Sequence, residues 1–172
     1  MITNPELKRL IKITRALGIR IKIIQKTGRY PYAGTYSAPT RRSRGLIEIY
    51  KSNGVSQHDM FLILLHELGH HIDFLIRRRV PEAYYYIDQE YVPRWARRSI
   101  LSAEKHAVQY AEILFLHFEF KFPYWKVKRE CAFDYYQYYY FYKTGTWISK
   151  KQTSDFLDAW DKKYKNSLVT VK

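Results

Sequence analysis

A single cysteine, Cys131, stands among the 172 residues, so no internal disulfide can form and a Cys-based zinc cluster is excluded. The lone thiol also fits a reducing compartment. No apolar run approaches the roughly 20 residues that a bilayer-spanning helix needs. Glu6, Lys8, Arg9 and Lys12 interrupt the N-terminus where a secretory signal would be apolar. The expectation is a cytoplasmic protein, neither secreted nor held in a membrane. Acidic residues are also scarce: 16 against 30 Lys and Arg give a formal net charge of +14. The cations fall in scattered groups: Arg41, Arg42 and Arg44; Arg77 to Arg79; Arg97 and Arg98; Lys126, Lys128 and Arg129; Lys162, Lys163 and Lys165. Such a balance makes nucleic acid or an acidic protein a candidate partner. No recognition-helix pattern, RNA-binding signature or zinc-finger spacing accompanies it, and a solvated basic surface is the simpler account.

Hydrophobic residues make up 47% of the chain, which argues against disorder and for one sizeable core. No internal repeat or low-complexity linker divides it, so residues 1–172 read as a single domain. The 17 tyrosines mean that part of the core is built from rings with polar tips.

Leu65-His66-Glu67-Leu68-Gly69-His70-His71 is the stretch that carries chemistry. It contains H-E-x-x-H, whose histidines four apart lie one helical turn above each other on one face. His66 and His70 can therefore place two imidazoles on one zinc ion, with Glu67 beside the open side as the base that takes a proton from water. The apolar run Met60 to Leu65 and the later Ile72, Leu75 and Ile76 place this polar set on an otherwise buried helix. A polar group there is costly unless paired, and a metal would pair it. Gly69 disfavours the helix by about 1 kcal/mol relative to Ala, so it points to close approach by a substrate or another segment.

The surrounding elements follow from periodicity and punctuation. Asn4 or Pro5 to Leu17 reads as an amphipathic helix packed on the core and stopped by Gly18. Ile19 to Gln25 and Leu46 to Tyr50 read as strands, with a short strand around Thr35 to Ser37 in the segment containing Gly28, Pro31, Gly34 and Pro39. The strand at Leu46 to Tyr50 immediately precedes the motif helix; it could border the cleft and receive an extended peptide by strand addition, or serve as an ordinary sheet strand. Ser52-Asn53-Gly54 forms a turn, and Ser56 with Asp59 has the capping-box form. The motif helix is expected over Gln57 to Arg78, stopping before Pro81, with arginines 77 to 79 suiting its C-terminal dipole. Pro81 to Pro93 reads as a surface loop or short helix. A long helix then runs to about Phe120 and another from Tyr124 to Tyr142, with Tyr135, Tyr138, Tyr139 and Tyr142 expected in the core. Gly145 ends it, and Ser154 to Tyr164 reads as a short terminal helix.

Two histidines do not complete a zinc site, which takes three protein ligands and an open position. A third histidine close behind is excluded, because Ile76 occupies the place that the extended H-E-x-x-H-x-x-G-x-x-H pattern requires. His71 points about 100° away from His70. Among carboxylates Glu104 is best placed, since Ala107, Val108 and Ala111 on its face would let the two helices press together. Glu112 is the competitor, about 80° round the same helix. Asp73 could take the second ring N–H of a ligating histidine or pair with an arginine. No oxyanion-stabilising residue stands out: His106 and His117 fall on the other side of their helix.

The strand, the His66-Glu67-Leu68-Gly69-His70 helix and Glu104-Lys105-His106-Ala107-Val108-Gln109-Tyr110-Ala111 together resemble the ImmA/IrrE family of gluzincin-type metallopeptidases over roughly residues 18 to 120. The family's second motif is similar to E-x-x-A-N-x-F-A; here Val108 stands for Asn and Tyr110 for Phe. The resemblance implies zinc on His66, His70 and Glu104, Glu67 as the base, and a protein substrate such as a DNA-binding repressor of a mobile element. A catalytically silent, zinc-stabilised module that binds nucleic acid or an acidic protein is the alternative. The expected fold is α+β and zincin-like, a twisted sheet of about three strands on the zinc helix and the glutamate helix, with extra C-terminal helices.

Overall fold

The computed structural model describes residues 2–25, 33–52, 54–79 and 82–168. Gly28, Pro31, Asn53 of the expected turn and the stop at Pro81 lie outside the described residues. The first helix, α1 (Pro5–Ala16), opens on Asn4, whose side chain accepts from Leu7 N–H. It turns Leu7, Leu10 and Thr14 inward. Thr14 is buried at no polar cost because its hydroxyl donates to the Leu10 carbonyl at 2.8 Å. Gly18 takes φ +79°, a left-handed backbone open to glycine, and turns the chain into β1 (Arg20–Gln25).

β2 (Gly34–Ser37) and β3 (Leu46–Lys51) form an antiparallel hairpin, while β1 pairs with β3 in parallel, giving the order β1-β3-β2. Ile47 and Ile49, alternate residues of β3 that share one face, are fully buried. The order corrects one expectation. β3 is the central strand, hydrogen-bonded on both sides, and has no free edge for an added peptide. The edge that reaches the cleft belongs to β2.

α2 (Gln57–Arg77) starts at the capping box: Ser56 Oγ accepts from Asp59 N–H at 3.1 Å, and the Asp59 carboxylate accepts from Ser56 N–H at 2.8 Å. It ends where Arg78 enters the left-handed region, φ 56°, and donates its N–H to the Phe74 carbonyl. A 3-10 helix, Glu82–Tyr86, leads to α3 (Arg94–His117), then α4 (Tyr124–Thr144) and α5 (Lys150–Leu168). α2 packs against α1, β2, β3 and α3; α4 packs on α3, and α5 on α4. The main core joins Leu7, Leu10, Ile47, Ile49, Phe61, Leu64, Leu65 and Leu68 to Phe115 and Val127; a smaller core gathers Ala83, Ala96, Ile100 and Phe141. The fold is thus α+β with a three-stranded mixed sheet, and two helices follow α3. Among the described residues no helix is long and apolar enough to cross a membrane.

The tyrosine stripe of α4 is corrected in part. Tyr138 packs, partly buried, against the smaller core, but the fully buried side chains of α4 are Val127, Cys131 and Phe141, and Tyr135 and Tyr139 are 39% and 40% exposed and stack on each other. A phenol can lie on the surface with its hydroxyl in water, so tyrosine spacing marks the inward face poorly. Cys131 shows the opposite environment. Burial, with Asp134 and Glu112 nearby, pushes its thiol up to about 12. At pH 8 about one thiol in ten thousand would be ionised, against roughly a quarter in an unfolded chain. Iodoacetamide is therefore expected to alkylate Cys131 of the native protein about a thousandfold more slowly than in denaturant. Equal rates would contradict this packing.

Candidate metal centre

His66 and His70 leave α2 one turn apart on the side facing α3, and Glu104 reaches back from α3. Their closeness depends on small residues. A Cβ built on Gly69 would lie 2.1 Å from the Ala107 carbonyl oxygen and 2.9 Å from its carbon, so the two backbones meet where a side chain is missing. Ala103, Ala107 and Ala111 line the α3 side of this contact and are buried. The approach expected at Gly69 is thus that of another chain segment.

His66 Nε2 lies 3.1 Å from Glu104 Oε2, and His70 Nε2 lies 3.5 Å from the same oxygen. A tetrahedral zinc with bonds of 2.0–2.2 Å separates its donors by roughly 3.3–3.5 Å. Ligand atoms of the three residues lie within 4.8 Å of one another, so donor type and spacing fit a metal ion. Glu104 is 2% exposed, and a carboxylate so deeply buried needs compensation. Burial raises its pKa, but His70 and His66 outweigh that and hold it well below the usual carboxylate range. For His66 burial lowers the pKa, yet Asp134, Glu104 and Glu67 together push it up to about 10. Glu67, 8% exposed, is raised by burial against the lowering effect of both histidines.

The structure also sorts the other candidates. Glu112 accepts from Tyr124 Oη at 2.5 Å and pairs with Lys128 at 2.7 Å, so Glu104 alone of the two joins the histidines. His71 is buried beside Tyr36, its Nδ1 3.0 Å from the phenol oxygen. Asp73 takes the arginine alternative, with Arg77 Nε at 2.8 Å and His106 Nδ1 at 3.7 Å.

Two residues were not found from sequence. Asp134 of α4 places Oδ2 3.3 Å from His66 Nδ1, the position of a carboxylate that fixes a ligating imidazole. Tyr84 of the 3-10 helix donates to Glu104 Oε1 at 2.5 Å and meets His70 edge-on, with ring centroids 6.2 Å apart. That helix is therefore no mere surface connection, although its neighbour Tyr85 is 83% exposed.

A cavity of about 290 Å³ opens on one side of the three residues, with Thr35, Tyr36, Phe74 and Tyr84 in its walls. A second, of about 560 Å³, opens beside Asp134. Both include His66 and Glu67, and both reach Gly34 at the start of β2. Comparison with protein-family models, curated proteins and solved structures found no match.

Proposed function

We propose that the chain is a zinc-dependent metalloendopeptidase of the gluzincin type, zincin-like in fold, that hydrolyses a peptide bond in a specific protein substrate. A DNA-binding regulator of a mobile element is the substrate class implied by the ImmA/IrrE resemblance. The observation that carries the reading is the convergence of His66, His70 and Glu104 with Glu67 beside them, in a cleft bordered by a strand edge. Zinc held by the three would supply Lewis acidity and a water of lowered pKa. Glu67 would take the proton of the attacking water on a carboxylate oxygen and return it to the departing amide nitrogen. Asp134 would hold His66 through Nδ1, and Tyr84 would hold Glu104 through Oε1, so each orients a ligand without touching substrate. The β2 edge would align an extended substrate by main-chain hydrogen bonds.

The test is zinc per chain in wild type and Glu104→Ala, purified side by side. About one zinc is expected in the wild type and less than about a tenth in the variant, because two histidines alone leave an incomplete site. A well-folded wild type that refuses added zinc would overturn the proposal.

A basic-surface role has one specific observation of its own. Arg41, Arg42 and Arg44 line a groove of about 440 Å³ with Thr40, Ser43 and His71. No ion pair engages these arginines among the described residues. The turn carrying them is pinned by Arg42 and Ser43 N–H donating to Thr40 Oγ1 at 3.2 and 3.1 Å. Replacing all three by alanine is expected to reduce the salt slope of DNA or RNA retention by about two to three. Absence of retention at low salt would remove nucleic acid and leave an acidic protein as the partner.

A further inference from the structure

We infer that the groove between α1 and the outer edge of β1 docks an acidic, extended segment of a partner protein, which joins the sheet as a fourth strand. This edge is the opposite one from β2 and the cleft, so the inference does not depend on the peptidase reading. In the register of the sheet Ile21 lies beside Ile47 and Ile23 beside Ile49, on one face. Ile47 and Ile49 are fully buried, yet Ile23 is 41% exposed. The core side of the sheet is therefore uncovered at its β1 margin, where a groove of about 550 Å³ runs between the strand and α1.

The two walls of the groove decide what fits. On α1, Lys8, Ile11, Lys12 and Arg15 form one stripe along the helix and line the groove opposite Ile21 and Ile23. Lys8, Lys12 and Arg15 are exposed, and among the described residues they enter no ion pair. No carboxylate stands among the described residues that line the groove. The strand contributes direction. In a parallel pair, alternate residues turn both main-chain groups to the same neighbour. Arg20 N–H donates to the Gly45 carbonyl at 2.8 Å, so Arg20, Lys22 and Ile24 serve β3 while Ile21 and Ile23 turn theirs outward. No described strand pairs with that side. A peptide added there gains main-chain hydrogen bonds, and its groove-facing row lays apolar groups on the isoleucines and carboxylates against the cations. A second copy of the chain is a poor occupant, because two-fold pairing of β1 edges would set cations against cations. A lipid surface would meet the cations but offer the outward main-chain groups no strand to pair with.

The experiment titrates the full chain, at about 0.1 M salt, with the fluorescein-labelled peptide Thr-Glu-Thr-Val-Thr-Val-Thr-Glu-Thr and follows anisotropy. An isomer with its glutamates and valines in one contiguous block has the same charge without the alternating row, and should bind at least about tenfold more weakly. Lys8→Glu with Lys12→Glu, both exposed, should weaken binding of the alternating peptide at least about tenfold. Ile23→Pro removes one outward N–H, spares the ladder to β3 and should weaken it as much. Should that variant fail to fold, the lysine pair decides. Saturating peptide is expected to slow amide exchange at Ile21 and Ile23 about tenfold, with Lys22 unchanged. No binding, equal binding of the two peptides, indifference to the lysine variant or unchanged exchange at Ile21 and Ile23 would each overturn the inference. Vesicles of phosphatidylcholine with about a quarter phosphatidylserine are the second probe. Capture on them that the lysine variant abolishes, without peptide binding, would overturn it in favour of a lipid surface.

Discussion

Glu67→Gln is expected to lower peptide cleavage by about 10²- to 10⁴-fold, the range that a positioned proton acceptor contributes. Zinc content should stay at the wild-type level, because Glu67 is not among the three converging donors. The amide nearly matches the carboxylate in volume, so packing beside Gly34 is kept, but it cannot take up the proton of the attacking water. Stability should move the other way from activity. Burial raises the Glu67 pKa in the folded chain, so above its unfolded value the ionised form is favoured by unfolding. At pH 7 the neutral amide removes that penalty, and the metal-free variant is expected to melt at or above the wild-type temperature. A residue whose replacement costs activity and not stability has the profile of a functional group. The measurement is cleavage of one matched substrate beside zinc analysis and thermal melts of both proteins. Equal cleavage by the variant would end the peptidase reading.

What could be read from the sequence follows the range of the forces involved. The start of α2 was legible because a capping box is local: Ser56 and Asp59 satisfy each other's backbone within one turn. His66 and His70 were legible because helical geometry fixes residues four apart. Glu104 was legible through the small residues on its face, which say how near another helix can come. Asp134 and Tyr84 left no such trace. Each reaches the site through packing between elements far apart in the chain, and an Asp in an aromatic helix or a Tyr in a tyrosine run looks ordinary. Strand order was likewise hidden, since alternation reports which face of β3 is buried and not which strands flank it. One local signal was present and missed. Ser149 N–H donates to Gln152 Oε1 at 2.8 Å and Gln152 N–H to Ser149 Oγ at 3.3 Å, a capping box of the S-x-x-Q form. It starts α5 at Lys150, a turn before the expected Ser154.

Gly69→Ala is expected to lower stability and metal affinity together, although alanine is the better helix former by about 1 kcal/mol. Gly69 has no positive φ, so it supplies room and not a special backbone conformation. The added methyl would meet the Ala107 carbonyl oxygen at 2.1 Å, its carbon at 2.9 Å and its Cα at 3.1 Å, all backbone. The far end of a flexible side chain could rotate aside, but a helical carbonyl cannot. α3 must then shift from α2 by about an ångström to restore ordinary contact distances. Overpacking costs about 1–3 kcal/mol, and a backbone clash this close belongs at the upper end, about 3 kcal/mol; less the gain of about 1 kcal/mol in helix propensity, the net loss should be about 2 kcal/mol, or roughly 4–8 °C in Tm. The same shift carries Glu104, one turn from Ala107, away from His66 and His70. Metal–ligand distances tolerate about 0.2 Å, so zinc affinity should fall at least about tenfold. Melting of the metal-free chain and zinc titration of the folded variant separate the two effects. Glu104→Ala would lose zinc through the missing donor, whereas Gly69→Ala keeps every donor and loses zinc only because the helices have parted. Wild-type stability with undiminished zinc affinity would mean that α2 and α3 do not cross at Gly69, and Glu104 would lose its claim as the third ligand.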